Sequence, residues 1–149
     1  MSRLEVSRRL AYFFGAVTPL AESVRRWGTW WDDPPAFLDD YFLGAFLVAG
    51  ALATRKPRSV QGRALLAGAW GFACGMAYSS AASHWFTMRS GQPDPSGLPS
   101  NWVFAVKVLG GLVFVGALVL TVTSDSIPQH EPGGSSLAAG QDDSDHART

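Results

Sequence analysis

The sequence predicts an all-α fold. It reads as a small integral membrane helical bundle, with three transmembrane helices and an N-terminal helix that is either a fourth span or an amphipathic helix in the membrane plane. Three observations predict it. Charged residues make up only 16% of the 149 residues and hydrophobic residues 47%, where an ordinary soluble domain is about one quarter charged. Three apolar stretches each have about 20 residues, the length that crosses roughly 30 Å of hydrocarbon as a helix. Tryptophans gather near the ends of these stretches, at Trp27, Trp30, Trp31, Trp85 and Trp102, as interfacial aromatic belts do.

The N-terminal helix, expected over residues 5–26, is two-faced. Leu10, Phe13, Phe14, Val17, Leu20, Ala21 and Val24 share one side of a helical wheel, and Glu5, Arg8, Tyr12, Gly15, Pro19, Glu22 and Arg26 share the other. An amphipathic helix of this kind can lie flat in the interface. It can equally cross with its polar face lining a bundle, with the arginines at either end reaching opposite surfaces. Arg3, Arg8 and Arg9 ahead of an apolar run resemble a secretion signal, but no small-x-small cleavage site follows, so the segment is expected to stay.

The first apolar span is expected over 34–54, with Asp33 as N-cap and the two prolines in the first turn. The second is expected over 64–85 and the third over 101–123. The connector after the first span carries Arg55, Lys56, Arg58 and Arg63, whereas the connector after the second has Arg89 as its only base and is rich in Gly, Pro and Ser. The positive-inside rule makes the first connector cytoplasmic and the second not. Residues 125–149 are polar, acidic and rich in Gly and Ser, with too little apolar surface to bury, and are expected to be disordered.

Charges inside the spans set the candidate site. Asp39 and Asp40 lie five and six residues past Pro34, and Lys107 lies six past Asn101. Both helix starts fall on the non-cytoplasmic side, where His84 ends the second span. If the first helix crosses, Glu22 arrives there as well, and Tyr78 adds a hydroxyl. A lone charge facing lipid costs about 2.5–3.5 kcal/mol at mid-membrane, so these groups are expected to turn inward and meet. The juxtaposition has two readings: an ion pair that orients helices, or a polar site for a proton, a cation or a polar ligand.

For helix packing, the sequence offers Gly68, Gly71 and Gly75 in the second span and Gly110 and Gly111 in the third, the small-residue spacing that permits close backbone approach. Searches for chemistry are negative. The chain has no P-loop, dinucleotide fingerprint, HExxH or CxxC motif, and a single cysteine, Cys74. Lysine plus arginine number 12 and so do aspartate plus glutamate, so no charge excess points to nucleic acid. No cofactor and no metal is expected. The expected role is non-enzymatic: an accessory or subunit of a membrane complex, in a bacterial-type inner membrane. Its partners would be the lipid bilayer and a membrane protein or a second copy of the chain. The alternative is a small transporter or channel that uses the outward Asp/Lys/His layer.

Overall fold

A computed structural model describes residues 1–25, 34–55, 59–91 and 98–124. They form four helices: α1 (Arg3–Arg25), α2 (Pro34–Ala53), α3 (Val60–Arg89) and α4 (Ser100–Val122), with no strand among the described residues. Each helix runs antiparallel to the one before it, and α4 closes the ring against α1. Arg55 at the end of α2 meets Tyr12 of α1, Leu66 of α3 lies against Gly50 of α2, His84 of α3 reaches Ser100 of α4, and Ser7 of α1 meets Thr121 of α4. The result is an up-down-up-down four-helix bundle.

The N-terminal helix therefore packs as the fourth member of the bundle, and it does so with much of its apolar side outward, although Leu10 and Phe14 turn to the core. Ser7, Ala11, Gly15 and Glu22 are buried on one stripe of α1, while Phe13, Val17, Leu20 and Val24 are exposed. The other helices also leave large apolar side chains outside, among them Phe42, Leu52, Phe72, Phe86, Leu109, Leu112 and Val119. α4 alone among the described helices is long and apolar enough to cross a membrane by its own composition, against the three expected. α3 falls short because Gly, Ser, Tyr and Trp dilute its aliphatic residues.

α3 is longer at both ends than the expected 64–85. The Ser59 side chain accepts the Gly62 N–H and caps the helix start. The far end runs on to Arg89 and stops at Gly91, whose φ of 73° suits a residue without Cβ. Thirty residues make a rod of about 45 Å. The expected N-cap Asp33, the tryptophans at 27, 30 and 31, Lys56, Arg58 and the 125–149 tail lie outside the described residues.

The core is built around Trp70, which is fully buried on α3 with Leu66, Ala69 and Ala73 beside it. Phe14 of α1 and Phe114 of α4 meet edge to face at 5.0 Å, and Trp70 lies 6.4 and 5.7 Å from their ring centres. Edge-to-face pairs of this kind contribute about 0.5–1.5 kcal/mol each beyond their area. The indole N–H donates to Ser7 Oγ at 2.9 Å. Ser7 Oγ lies 2.6 Å from Thr121 Oγ1, which in turn reaches the Ala117 carbonyl at 2.8 Å. Ser7 Oγ also lies 3.1 Å from the Ala117 carbonyl, so the indole, serine, threonine and α4 backbone form one buried network that ties α1, α3 and α4 together. No buried polar side chain among the described residues lacks a hydrogen-bond partner.

Close helix approach does not use the expected glycines. A Cβ on Gly71, Gly75 or Gly110 would meet nothing within 4 Å, and one on Gly68 or Gly111 would make only ordinary contact, with Phe46 at 3.9 Å and Ala77 at 3.6 Å. The tight crossings are elsewhere. Pro19 has no N–H, so the Gly15 carbonyl one turn earlier gets no helical bond. That carbonyl points at Gly44, 2.6 Å from where a Cβ would stand. Gly50 against Leu66 and Gly62 against the Ala53 carbonyl repeat the device between α2 and α3. The glycines on the open faces were chosen by spacing alone, and spacing does not say which side of a helix meets a neighbour.

Two outcomes follow from this packing. Gly44→Ala should destabilise the bundle by about 1–3 kcal/mol through overpacking, while Gly75→Ala should be neutral or mildly stabilising because alanine is the better helix former. Denaturant titration in detergent, followed by tryptophan fluorescence, separates the two. Ser7→Ala should cost about 1–3 kcal/mol by stranding the indole N–H. Trp70→Phe combined with Ser7→Ala should cost less than the sum of the single changes.

Candidate polar cavity

Between the bundle's midpoint and the end away from the basic connector, the helices part around a cleft of about 480 Å³. All four helices line it. α1 gives Thr18 and Glu22, α2 gives Asp39, Asp40 and Leu43, α3 gives Met76, Ala77, Ser79 and Ser80, and α4 gives Lys107, Gly110, Gly111 and Phe114. Helix geometry accounts for the convergence. Antiparallel neighbours bring the last turns of α1 beside the first turns of α2, and the middle of α3 beside the first half of α4, so residues from distant parts of the chain reach one level.

Of the six candidate residues, four, Glu22, Asp39, Asp40 and Lys107, line this cleft. Glu22 is 6% exposed, the most enclosed of the carboxylates, whereas Asp39 stands at the rim with an exposed side chain. Lys107 Nζ lies 3.5 Å from the Ser80 carbonyl across the α3–α4 seam. His84 and Tyr78 are elsewhere. The His84 ring is buried, stacks on Phe104 at 13° and 6.4 Å, and sets Nε2 3.0 Å from the Ser100 carbonyl. A carbonyl can only accept, so Nε2 carries a proton, and the histidine serves to hold the start of α4. Tyr78 is 77% exposed on the outer surface of α3. Among residues not singled out from the sequence, Ser79, Ser80, Thr18 and the apolar Leu43, Met76 and Phe114 complete the lining.

The lining is divided. Its carboxylates come from α1 and α2, and its ammonium and two serine hydroxyls come from α3 and α4. Three carboxylates against one ammonium leave an excess of two negative charges among the described lining residues. Leu43 and Phe114 form the inner end, next to the aromatic cluster of Phe14, Phe114 and Trp70, so the cleft ends there. Ser23 and Tyr41, joined at 2.6 Å, brace α1 on α2 near the mouth.

The other end of the bundle is basic. Arg3 and Arg63 donate to the Thr123 and Ser124 carbonyls at the end of α4, where the helix dipole favours cations. Arg55 donates to the Tyr12 hydroxyl at 2.9 Å and lies over its ring, and Arg9 pairs with Glu5 at 2.7 Å. The two described residues of the expected topology signal, Arg55 and Arg63, therefore also make structural bonds.

Comparison with protein-family models, curated proteins and solved structures finds no match. The cleft makes a local prediction. A cysteine replacing Ser79, in a Cys74→Ser background, should react with a charged, water-soluble thiol reagent at least about tenfold faster than one replacing Ala73 in the buried core. Equal rates would mean that the cleft is dry or collapsed.

Proposed function

We propose that the chain is a non-enzymatic, multi-pass membrane protein whose four helices cross the bilayer together, and that its cleft is a vestibule holding a small charged solute on the non-cytoplasmic side. The single observation that carries this reading is the apolar outer surface. Ser7, Glu22, Thr54, His84 and Thr121 are buried beside the core around Trp70, while many large apolar residues of all four helices, such as Leu20, Phe42, Phe86 and Leu112, face outward. In water that arrangement would expose far more apolar surface than soluble monomers tolerate. In lipid it is the economical one, because polar groups then satisfy each other inside and the outer face needs no hydration. Trp85 and Trp102, exposed near the end of α3 and the start of α4, suit the interfacial level.

A subunit or accessory role is the second reading, and the α1–α4 seam favours it. That seam is the thinnest packing between neighbouring helices, and Phe13 and Val17 of α1 and most of α4 stand open to a partner helix. An accessory subunit would co-purify with a larger membrane protein in mild detergent, and a lone monomer at native expression would count against it.

Topology labelling tests the membrane reading. In intact cells, Arg89→Cys in a Cys74→Ser background should react with a membrane-impermeant thiol reagent, and Ser2→Cys and Arg55→Cys should react only after permeabilisation. Labelling of Ser2→Cys and Arg89→Cys from the same side would remove α1 from the set of spans.

A further inference from the structure

We infer that the basic end of the bundle holds the headgroup of an anionic phospholipid in the α1–α2 seam, with Arg8 and Arg55 on its phosphate; this rests on the membrane reading given above and not on the cleft. Three observations carry it. The first is register. Gly15 of α1 lies against Gly44 and Val48 of α2, and the two helices run antiparallel. Seven residues back on α1 and seven forward from Val48 bring Arg8 and Arg55 to one level. Tyr12 follows Arg8 by one turn on the same side of α1. Arg55 lies over the Tyr12 ring at 5.4 Å and donates to its hydroxyl at 2.9 Å. Two arginines, one from each helix, thus stand beside one phenol.

The second observation is how the charges at this end are already used. Glu5 is the carboxylate of α1's first turn, and Arg9 holds it at 2.7 Å. Arg3 and Arg63 turn to the Thr123 and Ser124 carbonyls, on the α4 side. Among the described residues Arg8 makes no hydrogen bond or ion pair, and Arg55 meets a phenol and no carboxylate. Arg8 is nonetheless half-buried in the seam, with Arg55 exposed beside it. Guanidinium forks match the oxygens of a phosphate. The third observation is the apolar strip next to them. Leu52, one turn before Arg55, is 45% exposed, and Ala16 and Ala45 are exposed on the two walls of the same seam. A phospholipid answers both parts, with its phosphate on the arginines and an acyl chain along the strip, whereas a free anion answers only the arginines. A headgroup that brings its own cation is repelled by these bases, so the lipid is one with net negative charge.

The test releases the full chain from detergent micelles that contain equimolar phosphatidylglycerol and phosphatidylcholine, and identifies the first bound lipid by native mass spectrometry. We expect phosphatidylglycerol to be retained about threefold or more over phosphatidylcholine. Arg8→Gln together with Arg55→Gln should bring that ratio near one. Arg3→Gln, which removes the same charge at the same end but on the α4 side, should leave it nearly unchanged. Near-UV circular dichroism from Trp70 checks that each variant keeps its core, and Arg8→Gln alone, expected to halve the ratio or more, serves if the double variant does not fold. Equal retention of the two lipids by the unaltered chain would overturn the inference, as would an Arg3→Gln loss as large as that of Arg8→Gln, which would mean diffuse charge and no site. A preference that emerges only when Asp125, Glu131, Asp142, Asp143 and Asp145 are changed to amides would assign the seam to the chain's own acidic tail and overturn it too. Each of these results leaves the membrane reading standing. Retention of neither lipid, with Ser2→Cys and Arg89→Cys labelled from the same side, would remove both.

Discussion

The bundle depends on giving one indole N–H a partner. Trp70 is the largest fully buried side chain, and its nitrogen can only donate. Its acceptor, Ser7 Oγ, comes from the first turns of α1, across the bundle from α3. The serine's own proton then goes to Thr121 or to the Ala117 carbonyl, both on α4. That requirement fixes how three helices rotate about their axes. It also explains why α1 turns a stripe of small and polar residues inward: a serine, an alanine and a glycine at 7, 11 and 15 let the helix approach the indole and α2 closely, with Phe14 beside them on Trp70.

From that point the two ends of the molecule diverge. Toward the basic end the backbones are in contact, through Gly50 on Leu66 and Gly62 on Ala53, and arginines close the end of α4. Toward the other end, past the Gly15–Gly44 crossing, the glycines of α4 meet little or nothing, and the helices part around the carboxylates. One constraint produces both halves. Charged side chains need room, hydration or partners, and a bundle that crossed tightly along its whole length could not have housed Glu22, Asp40 and Lys107 on the inside with Asp39 at the rim.

How much of this was legible in the sequence depends on which coordinate of a helix is asked for. Height along the axis was legible. A rise of about 1.5 Å per residue puts Asp39, Asp40 and Lys107 at matching depths from their helix starts, and they line one cleft. Direction around the axis was legible only in part on α1, where Phe13, Val17, Leu20 and Val24 of the apolar face lie outside while Leu10 and Phe14 of the same face turn to the core. It was not legible on α3, where Gly71 and Gly75 lie about 100° and 140° round the helix from Trp70 and face away from the neighbours, and where Tyr78 follows them outward. Nor could a histidine at a helix end be told from a site histidine until the Ser100 carbonyl was seen to take its proton. The crossing at Gly15 and Gly44 was hidden for another reason. Its cause is the N–H missing at Pro19, an absence that spacing rules do not register.

The aromatic floor decides what the cleft can be. A path for a solute through the bundle would have to continue past Phe114 and Leu43 into the cluster of Phe14, Phe114 and Trp70. Opening it would separate rings that interlock and would pull the indole N–H from Ser7 in a place with no water to replace the bond, a cost of several kcal/mol before any solute moved. In the described arrangement the cleft therefore stops at these rings. A one-sided pocket is consistent with every part of it: a mouth with Asp39 at the rim, a charged middle, an apolar end, and below that a sealed core. The thin α1–α4 seam flanks both Ser7 and the Phe14–Phe114 contact, so the least-packed junction of the bundle lies beside its sealed core.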